Sequence, residues 1–170
     1  MTRGEKMAEQ LHRQRVLNFL NAYYGGDTKA ALKCCDDDVL CMVYLPVELF
    51  PYLGPRRGKP ALAEVLALHE ARFSERRFEV KRMVADADGV AVILDVAFTK
   101  RADGRVVQLT SGTFYTLRCG LITEMRTFMD TVDAIEHLTG RDLIGPLLRE
   151  AGSALQPPPI HPPPRFARTE

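Results

Sequence analysis

No stretch of this 170-residue chain approaches the ~20 consecutive apolar residues that a membrane-spanning helix needs. The start, Met1-Thr2-Arg3-Gly4-Glu5-Lys6, lacks the apolar run of a secretory signal. A cytoplasmic protein with no membrane association is the expectation. An excess of charge of one sign is also missing. Lys and Arg number 23 against 22 Asp and Glu, a formal net charge of +1, which gives no electrostatic case for a nucleic-acid partner. The doublets Arg56-Arg57 and Arg76-Arg77 are isolated and read as solvated surface. The four cysteines (Cys34, Cys35, Cys41, Cys119) show no C-x-x-C spacing, and the four histidines (His12, His69, His137, His161) show no H-x-x-x-H or H-E-x-x-H pattern. The thiols are therefore expected to be reduced and mostly packed as small apolar groups, with no metal and no cofactor. No internal repeat is present.

What remains is an ordinary globular composition, 46% hydrophobic and 26% charged, in a chain long enough for one domain with a sizeable core. Over residues 7–24, Val16, Phe19, Leu20 and Tyr23 recur at i, i+3, i+4, i+7 and predict an amphipathic helix. Gly25-Gly26 ends it, and Asp27 is placed to cap a short second helix reaching Cys35. Asp36-Asp37-Asp38 reads as a solvated break before a strand at 39–45. The loop at 46–58 holds three prolines and two glycines, yet also Val47, Leu49, Phe50, Tyr52 and Leu53. A loop this apolar is expected to fold over a core edge or a pocket mouth. After Pro60, a helix carries Leu62, Val65, Leu66, His69 and Phe73 on one face.

Strand signals dominate from residue 78 to Asp130. Asp86-Ala87-Asp88-Gly89, Ala102-Asp103-Gly104 and Arg118-Cys119-Gly120 punctuate four β-rich runs, which predicts serial hairpins in a curled antiparallel sheet. Both alternating faces of 90–98 are apolar, with Asp95 the one charge. A sheet with helices on one face and a second apolar face predicts a homodimer through that outer face. Asp130 closes the last run, beside Phe128 and Met129. Burial there would raise its pKa and make it a proton-transfer group; equally, the position is that of a helix N-cap. Residues 1–151 read as the folded domain. Residues 152–170 contain six of the eleven prolines and are expected to be an extended tail.

The order helix, short helix, strand, Pro-rich loop, helix and four-stranded meander resembles the cone-shaped α+β fold of nuclear transport factor 2. Four segments resemble its SnoaL-like branch. They are Asn18-Phe19-Leu20-Asn21-Ala22-Tyr23-Tyr24-Gly25-Gly26-Asp27, Cys35-Asp36-Asp37-Asp38-Val39, Gly54-Pro55-Arg56-Arg57-Gly58 and the hairpin strand from Cys119 to Asp130. The resemblance implies an apolar cavity between sheet and helices, and relatives that include ketosteroid isomerases, limonene-epoxide hydrolases and polyketide cyclases. The isomerase's general-base aspartate falls near Val43, its oxyanion-hole acid near Thr113 and its helix-one tyrosine near Phe19. That mechanism therefore lacks its proton acceptor. The epoxide hydrolase's closing carboxylate matches Asp130, and its second carboxylate matches Asp95 with Ile93 at its arginine, unless Arg126 reaches in.

These readings imply a cofactor-independent acid/base enzyme of isomerase, cyclase or hydratase type, acting on a small hydrophobic molecule. Asp130, Asp95 and His69 are the catalytic candidates. Tyr23, Tyr44 and Tyr115 would position oxygen groups, Tyr52 and Arg126 would line the ligand site, and Phe19, Phe50, Phe128 and Met129 would form walls. The alternative is a non-catalytic binding or dimerisation module with the same pocket. In a further alternative the cavity is filled by side chains.

Overall fold

The computed structural model describes residues 3–151; the expected Pro-rich tail lies outside the described residues. Helix α1 (Arg3–Gly25) is followed by α2 (Thr28–Lys33), whose N-cap Asp27 accepts from the Ala30 amide at 2.9 Å. Gly26 takes φ +81°, the left-handed conformation a side chain would resist, and so lets the chain reverse between the two helices. Strand β1 (Cys35–Val43), a short 3₁₀ turn (Pro51–Leu53), β2 (Arg56–Arg57) and α3 (Lys59–Arg72) come next. The meander β3 (Phe73–Ala85), β4 (Gly89–Lys100), β5 (Val106–Arg118) and β6 (Leu121–Met129) follows, then α4 (Thr131–Thr139) and α5 (Ile144–Ala151). No helix among the described residues is long and apolar enough to cross a membrane.

The six strands form one curved, unclosed sheet in the order β2-β1-β6-β5-β4-β3, with β1 parallel to β6 and every other pair antiparallel. The fold is the α+β cone that the element order predicts. One face of the sheet packs on the helices. Val16 and Leu20 of α1, Leu62 and Leu66 of α3, and Val92, Leu94, Val107 and Ile122 of the sheet are each at most 4% exposed. Truncating any one of them to alanine leaves a void costing about 2–5 kcal/mol for the larger side chains.

Several boundaries differ from the sequence reading, α1 starting earlier, α2 ending at Lys33, β1 at Val43 and β3 beginning at Phe73 rather than Phe78, and two of the differences bear on the fold. Asp36-Asp37-Asp38 is not a loop but part of β1, where the register with β6 shifts between Cys35 and Leu40. The irregularity pushes Asp37 out to meet Lys59 at 2.7 Å. Phe73, expected on the α3 stripe, opens β3 instead, and its extended backbone (φ −124°, ψ 128°) terminates the helix. A further irregularity, between β5 and β6, decides the site. Thr116 pairs with Glu124 but Leu117 with Ile122, so β6 holds one extra residue, Thr123. Such a bulge exchanges the two faces of the strand beyond it.

Candidate functional site

Beneath the curved sheet lies a cavity of about 150 Å³, walled by α1, α3, the apolar loop and strands β1, β4, β5 and β6. Strict alternation on β5 places Val107, Leu109, Ser111, Thr113, Tyr115 and Leu117 on the buried face; Leu109 through Tyr115 reach the cavity. On β4, Leu94, Val96 and Phe98 do the same. No carboxylate, ammonium or guanidinium lines it among the described residues.

His69 comes from the last turn of α3, one turn beyond the buried Leu66. Its Nδ1 is hydrogen-bonded to the Tyr23 hydroxyl of α1. Tyr23, Tyr52, Phe73 and Phe98 surround the imidazole with ring centroids 5.7 to 6.4 Å away. Burial pushes the His69 pKa down to about 4, with smaller contributions from Arg76 and Arg72. A helix C-terminus favours a cation by only ~0.3–1 kcal/mol at most sites, so burial wins and the ring is neutral at pH 7. Burial also holds the Tyr23 hydroxyl well above its usual range. The pair is thus a neutral imidazole and a neutral phenol in an apolar enclosure. Just outside, Arg72 donates to the Tyr52 hydroxyl at 2.7 Å and stacks over its ring at 4.3 Å. Arg76 lies 5.9 Å over the Tyr23 ring.

Of the residues expected from sequence, His69, Phe19, Tyr23, Tyr52, Tyr115 and Met129 come together at the cavity. Tyr115 is 4% exposed, and burial raises its hydroxyl pKa strongly. The others lie elsewhere. Asp130 is exposed and acts as the N-cap of α4, accepting from the Asp133 amide at 3.0 Å. Its position is that of the cap, not of a pocket acid. Asp95 is on the opposite face of the sheet, where Thr110 donates to it at 2.7 Å and Lys81 stands 3.6 Å away. Arg126, Phe128 and Tyr44 form an outer cluster. Arg126 donates to the Tyr44 hydroxyl at 2.9 Å, and Tyr44 stacks on Phe128 with centroids 4.2 Å apart. Phe50 is buried in the core outside the cavity wall. Without the Thr123 bulge, the parity begun at Ile122 would turn Arg126 and Phe128 inward; with it, Met125, Thr127 and Met129 face the cavity instead.

Sequence reasoning missed Ser111, Thr127, Tyr24 and Cys41 as cavity residues. The alternation around Tyr115 carried the signal for Ser111, since the buried residues of β5 share its parity. Val43, Thr113 and Phe19, the three positions matched to the isomerase site, do line the cavity, with Val43 and Thr113 in place of the two acids and Phe19 in place of the tyrosine.

Fold and enclosure define a nuclear-transport-factor-2-like cone. Within that superfamily the chain belongs to the SnoaL-like domain family, which it matches over residues 16–125. Among solved structures it is similar to a protein provisionally named a polyketide cyclase from Silicibacter sp. TM1040 (26% identity, 75% of this chain and 95% of that one, TM-score 0.60). It is also similar to a limonene-epoxide-hydrolase-like epoxide hydrolase of M. tuberculosis (21% identity, 85% and 97%, TM-score 0.63). TerC, co-crystallised with polyporic acid, is another neighbour (19% identity, 76% and 98%, TM-score 0.69). No curated protein matches the sequence.

Proposed function

We propose that this protein is an acid/base enzyme of the SnoaL-like type that moves protons on a small, neutral, hydrophobic carbonyl compound, with His69 and Tyr23 as the reacting pair. The observation that carries the reading is the Tyr23–His69 hydrogen bond inside a cavity lined by no charged group. A lone imidazole with its pKa near 4 is a weak base. Coupled to a phenol it need never become an imidazolium. In one tautomer Nδ1–H donates to the Tyr23 oxygen, leaving the tyrosine proton for a ligand and Nε2 as a bare acceptor. The substrate's α-proton then passes to Nε2, the Nδ1 proton to the tyrosine oxygen, and the tyrosine proton to the carbonyl oxygen. The C–H electron pair becomes the enol double bond, and the carbonyl π pair takes the proton. The dyad ends in its other tautomer and no full charge forms, which suits an apolar site where an unpaired ion would be costly. Enolisation of this kind underlies isomerisation, aldol-type cyclisation and the addition or loss of water.

The test is deuterium exchange at the methylene of phenylacetone in D₂O, followed by NMR. The wild type accelerates exchange, and His69→Phe and Tyr23→Phe each abolish the acceleration. Exchange equal in all three would refute the catalytic role. The absence of a carboxylate from the wall favours a second reading, a non-catalytic carrier, whose mark is saturable binding of phenylacetone with no exchange.

The partner reading is a second copy of the chain on the outer sheet face. Phe114 (59% exposed), Val84, Ile93 and Phe128 stand exposed there, an apolar patch that supports burial in a dimer. Four free thiols support a reducing, cytoplasmic setting.

A further inference from the structure

Polar groups divide the cavity wall between two sides. The helix side offers His69, Tyr23, Tyr24 and Tyr52; the sheet side offers Ser111, Thr113, Thr127 and Tyr115. On the sheet side Thr113 and Thr127 share a hydrogen bond at 3.0 Å, and Thr113 stands close enough to the Tyr115 hydroxyl to favour its ionised form. Ser111 has no such neighbour among the described residues. It sits between Leu94 of β4 and Met129 of β6 in register, and the residue is only 6% exposed. Its hydroxyl has no hydrogen-bond partner among the described residues, and its oxygen is not sealed off from open space. The open space it meets is the cavity. A hydroxyl that meets open space is free to bond whatever occupies it, so Ser111 offers the cavity a donor and an acceptor that no other described side chain claims.

We propose that Ser111 is a substrate-recognition residue, and that the substrate is an uncharged molecule of about one ring carrying two oxygen functions, one for the His69–Tyr23 pair and one for Ser111. The first of those ends rests on the function proposed above; the second does not. Size follows from the cavity: its volume of about 150 Å³ is that of an engineered site known to take benzene, so a monocyclic body fills it. Neutrality follows from a wall without charged side chains and an imidazole that stays unprotonated at pH 7. A hydroxyl donates or accepts, so Ser111 suits an alcohol, a phenol or a carbonyl.

The experiment compares binding of 4′-hydroxyacetophenone and ethylbenzene, similar in shape but with and without the two oxygens, to the full chain by titration calorimetry. Wild type is expected to bind the hydroxyketone more tightly. Ser111→Ala, which removes one atom and adds none, weakens the hydroxyketone about three- to ten-fold and leaves ethylbenzene unchanged. An unchanged hydroxyketone affinity overturns the role of Ser111. If Tyr23→Phe still weakens that probe, the His69–Tyr23 site stands without Ser111. Equal weakening of both probes means general damage to the cavity and also overturns the proposal. Failure of wild type to bind either probe removes both readings together.

Discussion

Acid should loosen this fold through His69 before it reaches the carboxylates. The ordinary imidazole pKa of 6.5 falls to about 4 in the folded protein, chiefly by burial. Above pH 7 the ring is neutral in both states and contributes nothing. As pH drops below 6.5 the unfolded chain takes up a proton that the folded chain refuses, so stability is lost progressively until the folded pKa is reached. Linkage puts the loss at about 2 kcal/mol by pH 5 and about 3 kcal/mol by pH 4, as upper figures, because part of the ring surface is accessible. Domains of this kind are stable by about 5–15 kcal/mol, so the change is within easy reach of urea unfolding. His69→Phe removes the titrating group at similar volume. It leaves the Tyr23 hydroxyl without its partner, a constant penalty of about 1–3 kcal/mol that does not vary with pH, because that tyrosine titrates far above this range. The difference between wild type and variant therefore isolates His69: it should shrink by about 2 kcal/mol between pH 7.5 and pH 5. A difference that stays flat over that range would refute a desolvated imidazole, and with it the apolar enclosure on which the proposed neutral proton shuttle depends.

Three further outcomes follow from the same geometry. Asp130→Ala should cost about 1 kcal/mol by loss of the α4 cap, and Asp130→Asn almost nothing, with phenylacetone binding unchanged in both; a loss of binding in Asp130→Asn would return that residue to the site. Phe114→Lys, at an exposed outer-face position, should give a monomer by light scattering with an unchanged melting temperature for the monomer unit, whereas a wild type that is itself monomeric at micromolar concentration refutes the dimer. Val43→Asp puts a carboxylate into the cavity wall, where an unpaired ion is disfavoured. The variant should be less stable than wild type by several kcal/mol at pH 8 and recover part of that loss near pH 5, where the acid is neutral; pH-independent stability would mean the side chain escapes to water.

Much of the fold was legible because its signals are local. The α1 stripe of Val16, Phe19, Leu20 and Tyr23, the Asp27 cap and the hairpin turns all lie within a few residues of what they determine, and α1, α2 and the four-stranded meander follow from them. What failed was non-local. Asp36-Asp37-Asp38 looks like a solvated break, yet β6 recruits it into β1 through a parallel pairing that no neighbouring residue announces. The polar run survives in a strand because the register slips there and two of the three side chains remain exposed.

The candidate site shows the same division more sharply. Alternation is reliable while the ladder is regular, and on β5 it carries Tyr115 and Ser111 to one face without interruption. On β6, one extra residue at Thr123 reverses every assignment beyond it. Arg126, Phe128 and Asp130 share a parity that faces the cavity if counted from Ile122 and faces away if counted from Met125. Composition offered no arbiter, because β6 carries apolar residues at both parities and β4 does too. The catalytic expectation therefore attached itself to the acid at the strand's end, where chemistry seemed to require a charge. The cavity was built the other way, from neutral donors and acceptors. An apolar enclosure of this size holds a phenol and an imidazole at little cost, whereas an ionised aspartate would have needed a buried counter-charge to stay there. The two candidate carboxylates lie outside the cavity: Asp130 is exposed as the α4 cap, and Asp95, buried on the other face, is held by the Thr110 hydroxyl and Lys81. In the proposed function the proton chemistry falls to His69 and Tyr23, which need no such counter-charge.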